Sequence, residues 1–270
     1  MSSPSGGGEV RDTPSLRRAV EEVGFAADLL GDCLAELGRG ALGRGALRAR
    51  AVAAEAFEIG VRPLRAISFL AAAIGLILGA STTWVPAPLE ALASARTSMN
   101  FIGILVLREL TPLLLGIFVA SRSGVALTAR LGAMRVSHAI DALVVMGISP
   151  AGFIVLPSLL AMLLALVALT VWCDVLTLAG TALWFSWRAG ISTRLGIAYL
   201  TEQVSMRHVL IGPEKALCFA ILIPVIAAVN GSRLDATSGG ESQTVARAAT
   251  AAVVQSLVAI IVVTLVFAVA

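Results

Sequence analysis

The chain has 270 residues, 58% of them hydrophobic and only 14% charged, with a mean hydropathy of +0.92; soluble domains average roughly 45–50% apolar residues. That composition excludes a large water-soluble domain, and with aromatics at 5% the apolar excess of Ala, Leu, Val and Ile suits closely packed transmembrane helices. The formal charge of +3 does not call for nucleic acid as a partner, because the arginines gather at the ends of apolar runs, where they report topology.

Residues 1–14 (MSSPSGGGEVRDTP) have the composition of a disordered tail. No apolar h-region follows Met1, so the N-terminus is expected to stay in the cytoplasm. From Ser15 to Leu37 apolar residues recur as Leu16, Val20, Val23, Ala27, Leu30 and Leu34, with Arg17, Arg18, Glu21 and Glu22 beside them. This spacing predicts an amphipathic helix lying on the membrane, the start of an interfacial region over 15–65. Residues 38–50 duplicate Gly-Arg-Gly-Ala-Leu; their arginines suit either anionic headgroups or a basic flexible connector.

A bilayer core of about 30 Å needs roughly 20 apolar residues per helix. Five windows qualify, at 66–86, 100–121, 153–174 (running on to about 185), 214–230 and 251–270. The third is too long for one perpendicular helix, so a tilted helix with a periplasmic extension is expected, with Trp172, Trp184 and Trp187 as an interfacial belt. Segments 1–65, 122–150 and 231–250 carry nine, three and two Arg or Lys residues. Arg96, Arg188, Arg194 and Arg207 lie on the alternate side, so the bias places the N-terminus inside and Ala270 outside.

Within the second window, Arg108 and Glu109 are costly: a charge near a helix centre costs about 2.5–3.5 kcal/mol even on insertion scales. Adjacent helical side chains point about 100° apart. The two are therefore expected to reach other helices, a twin subunit or a polar ligand rather than each other, as a substrate-cavity or gating site or as a structural ion pair. Pro112 removes a backbone donor and favours a kink there. Asp174 reads as an interfacial residue or a partner for Arg108.

The interval from Ser121 to Pro150 is too charged to span and is expected to lie along the cytoplasmic face. As one helix it would set Arg130, Met134, His138 and Asp141 on an arc of about 80°, a face suited to docking another protein or simply to solvent. Catalytic and metal chemistry find little support. Cys33, Cys173 and Cys218 are far apart and read as small core hydrophobes. His138 and His208 are isolated, and Ser121-Arg122-Ser123-Gly124 lacks the full nucleophile elbow. No G-x-x-x-x-G-K-[ST] loop is present, so ATP hydrolysis, with its Mg, would belong to a separate subunit and no cofactor is expected on this chain.

An ordered set of short motifs resembles the MlaE/YrbE permease family: RELTP at 108–112, SRSGVALTA at 121–129, LGAMRV at 131–136, IDAL at 140–143 and MGISP at 146–150, with GVR at 60–62 and RAATAAVV at 247–254. The resemblance covers roughly 15–270. It implies an all-α membrane protein: an N-terminal interfacial helix, a permease domain over 66–270 with five transmembrane helices, and a cytoplasmic coupling helix within 122–150 that docks on an ABC ATPase. It further implies pairing of two permease chains, an MCE-domain partner, and movement of phospholipids or related lipids from the bacterial inner membrane. RELTP corresponds to the family's cavity-lining helix, which places Arg108, Glu109 and Pro112 at the substrate cavity. Arg122, Arg130, Met134, Arg135, His138 and Asp141 fall in the ATPase-coupling segment.

The chain departs from the family pattern at Arg130, His138 and Ser149, which stand where acidic or amide residues are usual, and at Thr244-Val245-Ala246 in place of Gly-Val-Gly. The coupling segment has thereby lost negative charge. Two other readings follow: a non-transporting scaffold that anchors an ATPase or an MCE partner, and a secondary transporter with Arg108 and Glu109 in an ion pathway, although no clear inverted repeat is present.

Overall fold

The computed structural model describes residues 24–33, 35, 45–81, 90–232 and 241–269. The expected tail at 1–14 lies outside them. Helix α1 occupies residues 24–33, and α2 (Gly45–Ala56) leads through a π turn at Phe57–Val61 into α3 (Leu64–Ser81). A continuous rod then runs through α4 (Glu90–Leu105), a π turn (Val106–Leu110), α5 (Thr111–Val119), a second π turn (Ala120–Gly124) and α6 (Val125–Val136). The short α7 (Ala139–Val145) and a π turn (Ala151–Val155) precede α8 (Leu156–Ala189), and α9 (Thr193–Thr201), α10 (Met206–Ser232) and α11 (Glu241–Val269) complete the order.

The protein is an all-α membrane protein. Five helical stretches among the described residues are long and apolar enough to cross a bilayer: Ala49–Ser81, Thr97–Val136, Ala151–Ala189, Met206–Ser232 and Gln243–Val269. Each overlaps an apolar window expected from the sequence; the parts of those windows at 82–86 and 270 lie outside the described residues. At 1.5 Å per residue the 40-residue second span is about 60 Å long, twice the hydrocarbon thickness. It therefore carries structure well beyond the membrane. Large apolar side chains such as Phe69, Ile77, Leu164, Ile261 and Leu265 are exposed along these spans, as expected of surfaces that face lipid.

Three of the described π turns end two residues before a proline, namely Pro63, Pro112 and Pro157. Proline lacks an N–H and its ring crowds the carbonyl four residues back. Widening the preceding turn relieves that conflict without breaking the rod; ahead of Pro63, the Arg62 amide donates to Phe57 O at 3.0 Å, five residues back.

Helix α8 is the central pillar. Leu159, Met162, Leu166, Thr170, Cys173, Thr177 and Thr181 form its buried stripe at helical spacing. Against it α3 packs through Ala71, Gly75 and Gly79, a small-residue ridge with a four-residue repeat. A Cβ on Gly75 would collide with the Thr177 carbonyl, and one on Gly79 would lie 2.8 Å from Thr181 O. The close approach lets Thr177 Oγ1 donate to Ala71 O at 3.3 Å and Trp172 Nε1 donate to Ser68 Oγ at 2.9 Å.

Several expectations need correction. The coupling segment 122–150 is not one helix lying along a face: residues to Val136 continue the second span, and the chain breaks at His138, whose φ of 57° is left-handed. Arg130, Met134, His138 and Asp141 therefore share no helical arc. A second left-handed residue, Gly147, closes α7, with its amide on Val144 O and that of Ile148 on Leu143 O. In α1 Phe25, Leu29 and Cys33 form a packed stripe; of the expected face, Leu30 packs beside Leu159, Val225 and Val229, whereas Ala27 is exposed. The stripe sits against Leu127, Leu131 and Ile154 of the bundle. Of the basic duplication, residues 45–50 are helical rather than a flexible connector.

Gly75→Leu should cost about 1–3 kcal/mol by overpacking and lower the melting temperature in detergent, whereas Ile77→Leu on the exposed side of α3 should leave it within error. Equal melting temperatures for the two variants would remove the α3–α8 contact from the stabilising core.

Candidate functional site

The charged cluster inside the bundle begins with Pro112. Its missing N–H deprives the Arg108 carbonyl, four residues back, of the usual helical donor. Lys215 Nζ, from α10, donates to that carbonyl at 2.9 Å and to Glu109 Oε2 at 2.6 Å. Lys215 is fully buried, with 0% of its side chain accessible. It reaches the carbonyl because Gly212, one turn earlier, lets α10 press on the π turn: a Cβ there would lie 2.7 Å from Leu107 O. The Phe267 ring, 6.0 Å from the ammonium, borders the same space.

Arg108 occupies the opposite side of Glu109. Its Nε lies 3.3 Å from Glu109 Oε1, and its Nη2 donates to Phe267 O at 3.0 Å, in the last turn of α11. The guanidinium thereby ties the second span to the backbone of α11. The adjacent Arg108 and Glu109 do contact each other, contrary to expectation. A regular α-turn would splay them by about 100°, but they sit in the wider π turn.

The triad carries a formal charge of +1, two cations sharing one carboxylate. Arg108 keeps 30% of its side chain accessible and Glu109 26%, so the excess charge has an open edge at the guanidinium. Glu214, next to Lys215, is exposed. Pro112 is buried and acts through the backbone. Asp174 is 6% exposed and lies mid-helix in α8, which runs on to Ala189. Its neighbours are Thr111 and Gly212, it is not among the hydrogen-bond acceptors of Arg108, and its Oδ1 has no hydrogen-bond partner among the described residues.

The six residues of the coupling segment separate into two places. Arg122 Nη1 donates to Glu58 O in the α2–α3 π turn at 3.3 Å, and Arg130 bridges Glu55 of α2 and Ser158 of α8 at 3.3 Å. Met134 packs beside α1. Arg135, His138 and Asp141 meet at the α6–α7 corner, with Arg135 Nη1 2.8 Å from Asp141 Oδ1 and His138 Nδ1 3.1 Å from Oδ2. The hydrogen bond from His138, with the Arg135 guanidinium beside it, holds the Asp141 carboxyl below the usual carboxylate range. This clasp is complete above the ordinary carboxylate pKa and is lost as pH falls through the lowered one. Beyond it Val144, Val145, Met146 and Ile148 are exposed.

Five apolar spans around an internal charge cluster define a polytopic helical membrane protein whose polar chemistry is confined to helix–helix contacts. Residues 52–270 match the family model described as Permease MlaE, and the chain belongs to that family. Among its relatives, the chloroplastic protein trigalactosyldiacylglycerol 1 of Arabidopsis thaliana is 34% identical over 58% of this chain and 45% of its own length. A probable ABC transporter permease protein of Rickettsia typhi is 29% identical over 63% of this chain and 64% of its own. The intermembrane phospholipid transport system permease protein MlaE of Haemophilus influenzae is 28% identical over 70% and 72%. The chain thus spans less than two thirds of the first two relatives.

Lys215 was absent from the sequence-based site. It is the only lysine in the chain, and it falls within an apolar window, where a charge calls for a partner. Lys215→Met should destabilise the protein by about 1–3 kcal/mol, because it removes the donor to the Arg108 carbonyl and one of the two cations that share Glu109. Adding Pro112→Ala, which restores a backbone donor for Arg108 O, should recover part of that loss in thermal unfolding. Strict additivity of the two substitutions would uncouple the lysine from the proline.

Proposed function

We propose that the chain is the permease subunit of an ABC-type lipid transporter, moving phospholipid between the bacterial inner membrane and an MCE-type periplasmic partner, with ATP hydrolysed by a separate subunit. The observation that carries the reading is the partly accessible Arg108 guanidinium at the edge of a triad with excess positive charge, inside a span. A phospholipid phosphate would supply the missing anion through charge-assisted hydrogen bonds. Membership in the Permease MlaE family and the name of the Haemophilus relative, an intermembrane phospholipid transport system permease, support lipid as the cargo.

In this reading two permease chains pair, and the exposed Glu214 and the open edge of Arg108 face the shared cavity. The N-terminus is cytoplasmic and the C-terminus periplasmic, as the arginine distribution favours. The ATPase docks on α7, where Val144, Val145 and Met146 present an apolar patch beside the Asp141 clasp. Arg122, engaged by the α2–α3 π turn, and Arg130, engaged by α2 and α8, are not part of that patch. The scaffold reading draws on the loss of acidic residues from the coupling segment.

The test compares Arg108→Ala with Glu109→Ala in purified complex, scoring yield, thermal stability and co-purified phospholipid separately. Arg108→Ala should lower lipid per folded complex by roughly ten-fold, the worth of one charge-assisted hydrogen bond, while Glu109→Ala should act mainly on stability because it unpairs Lys215. Unchanged lipid per folded complex in Arg108→Ala would make the triad purely structural.

A further inference from the structure

Fourteen residues along the rod from Arg108, about 21 Å away, lies a second polar site that the transport reading does not use. Between the α2–α3 π turn and α6 is a pocket of about 240 Å³ lined by Glu55, Glu58, Arg122, Ser123 and Arg130. Arg130 is committed to Glu55, at 3.3 Å, and Glu58 is committed to Arg62, at 2.7 Å. Arg122 forms no ion pair among the described residues; its one hydrogen bond is to the Glu58 carbonyl. Two guanidinium groups and two carboxylates line the pocket, but Glu58 is paired from outside the lining by Arg62, so the charge left without an ion pair among the described residues is that of Arg122.

We propose that this pocket holds the zwitterionic headgroup of a phospholipid, with Arg122 receiving the phosphate and Glu55 and Glu58 facing the ammonium. Two features select a lipid rather than a free anion. Phe57 and Val61, in the same turn as Glu58, are 56% and 52% exposed, and Arg122 directly ends the apolar run that contains the exposed Ile117. The pocket thus lies where apolar surface gives way to charge, the level at which headgroups sit. The carboxylates in its wall disfavour a purely anionic ligand and favour one that carries its own cation. The site lies about 21 Å along the second span from the Arg108 triad and is independent of whether the protein transports lipid.

The full chain in nanodiscs of phosphatidylethanolamine and phosphatidylglycerol is photolabelled with a phosphatidylethanolamine carrying a diazirine on its headgroup, and adducts are mapped by peptide. Labelling is expected on the peptides containing residues 57–61 or 120–130. It should fall roughly ten-fold in Arg122→Ala, the loss of one hydrogen bond to a charged group, and less in Arg122→Lys. Ser123→Leu, which fills the pocket without changing its charges, should lose labelling as well and covers the case in which Arg122→Ala does not fold. Unlabelled phosphatidylethanolamine should compete, and phosphatidylglycerol should compete more weakly. Undiminished labelling in folded Arg122→Ala or in Ser123→Leu would overturn the proposal, as would equal competition by inorganic phosphate, which marks a free-anion site, or by diacylglycerol, which marks apolar contact alone.

Discussion

A single ammonium group joins the second span to the fourth. Lys215 supplies the hydrogen-bond donor that Pro112 cannot, and with the same three protons it neutralises Glu109. Both tasks are costly to leave undone in a region without water: an unpaired carbonyl and an unpaired carboxylate each lose their solvation on burial. The π turn, the close approach at Gly212 and the position of Arg108 all follow from meeting those two demands. With Glu109 shared between two cations, Arg108 is left with spare donors, one of which holds the end of α11.

The proline-associated π turns give the long spans a common design. A kinked or broken helix would expose backbone groups to lipid, where each unsatisfied group costs several kcal/mol. A widened turn keeps the ladder closed while shifting the side chains that follow. In the second span this shift occurs at the charged cluster, and in the first it occurs at Glu58, beside the second polar pocket. The bundle thus places its polar chemistry at the points where the backbone departs from α geometry. The α3–α8 contact, built on glycines and threonine carbonyls, has no such departure and serves as the rigid reference.

Polar groups are also separated by height. The Arg108 triad lies among the last turn of α11, α10 and the first π turn of the rod, whereas Arg122, Arg130 and the Asp141 clasp occupy the other end. The two ends are linked by one continuous helix, so a displacement at α7 or α6 has a stiff path to the triad. The ATP-driven transport proposed above needs such a path, and the 40-residue second span provides it.

Hydropathy and residue spacing were sufficient to define the all-α membrane class, five spans and the unusual pair Arg108–Glu109, because burying apolar length in lipid depends only on local composition. The motif order was sufficient for the family resemblance. What the tertiary structure decided was pairing: that Lys215 completes the cluster, that Arg108 reaches the Phe267 carbonyl of α11, and that Asp174 is buried mid-helix. Partners for a buried charge come from segments more than a hundred residues apart, and helical periodicity carries no information about which faces meet. The break at His138 was likewise hidden, since the left-handed turn that ends the rod is held by the Asp141 clasp and not by a glycine or proline. Local sequence sets what each segment must bury, while only the packed bundle determines which group satisfies it.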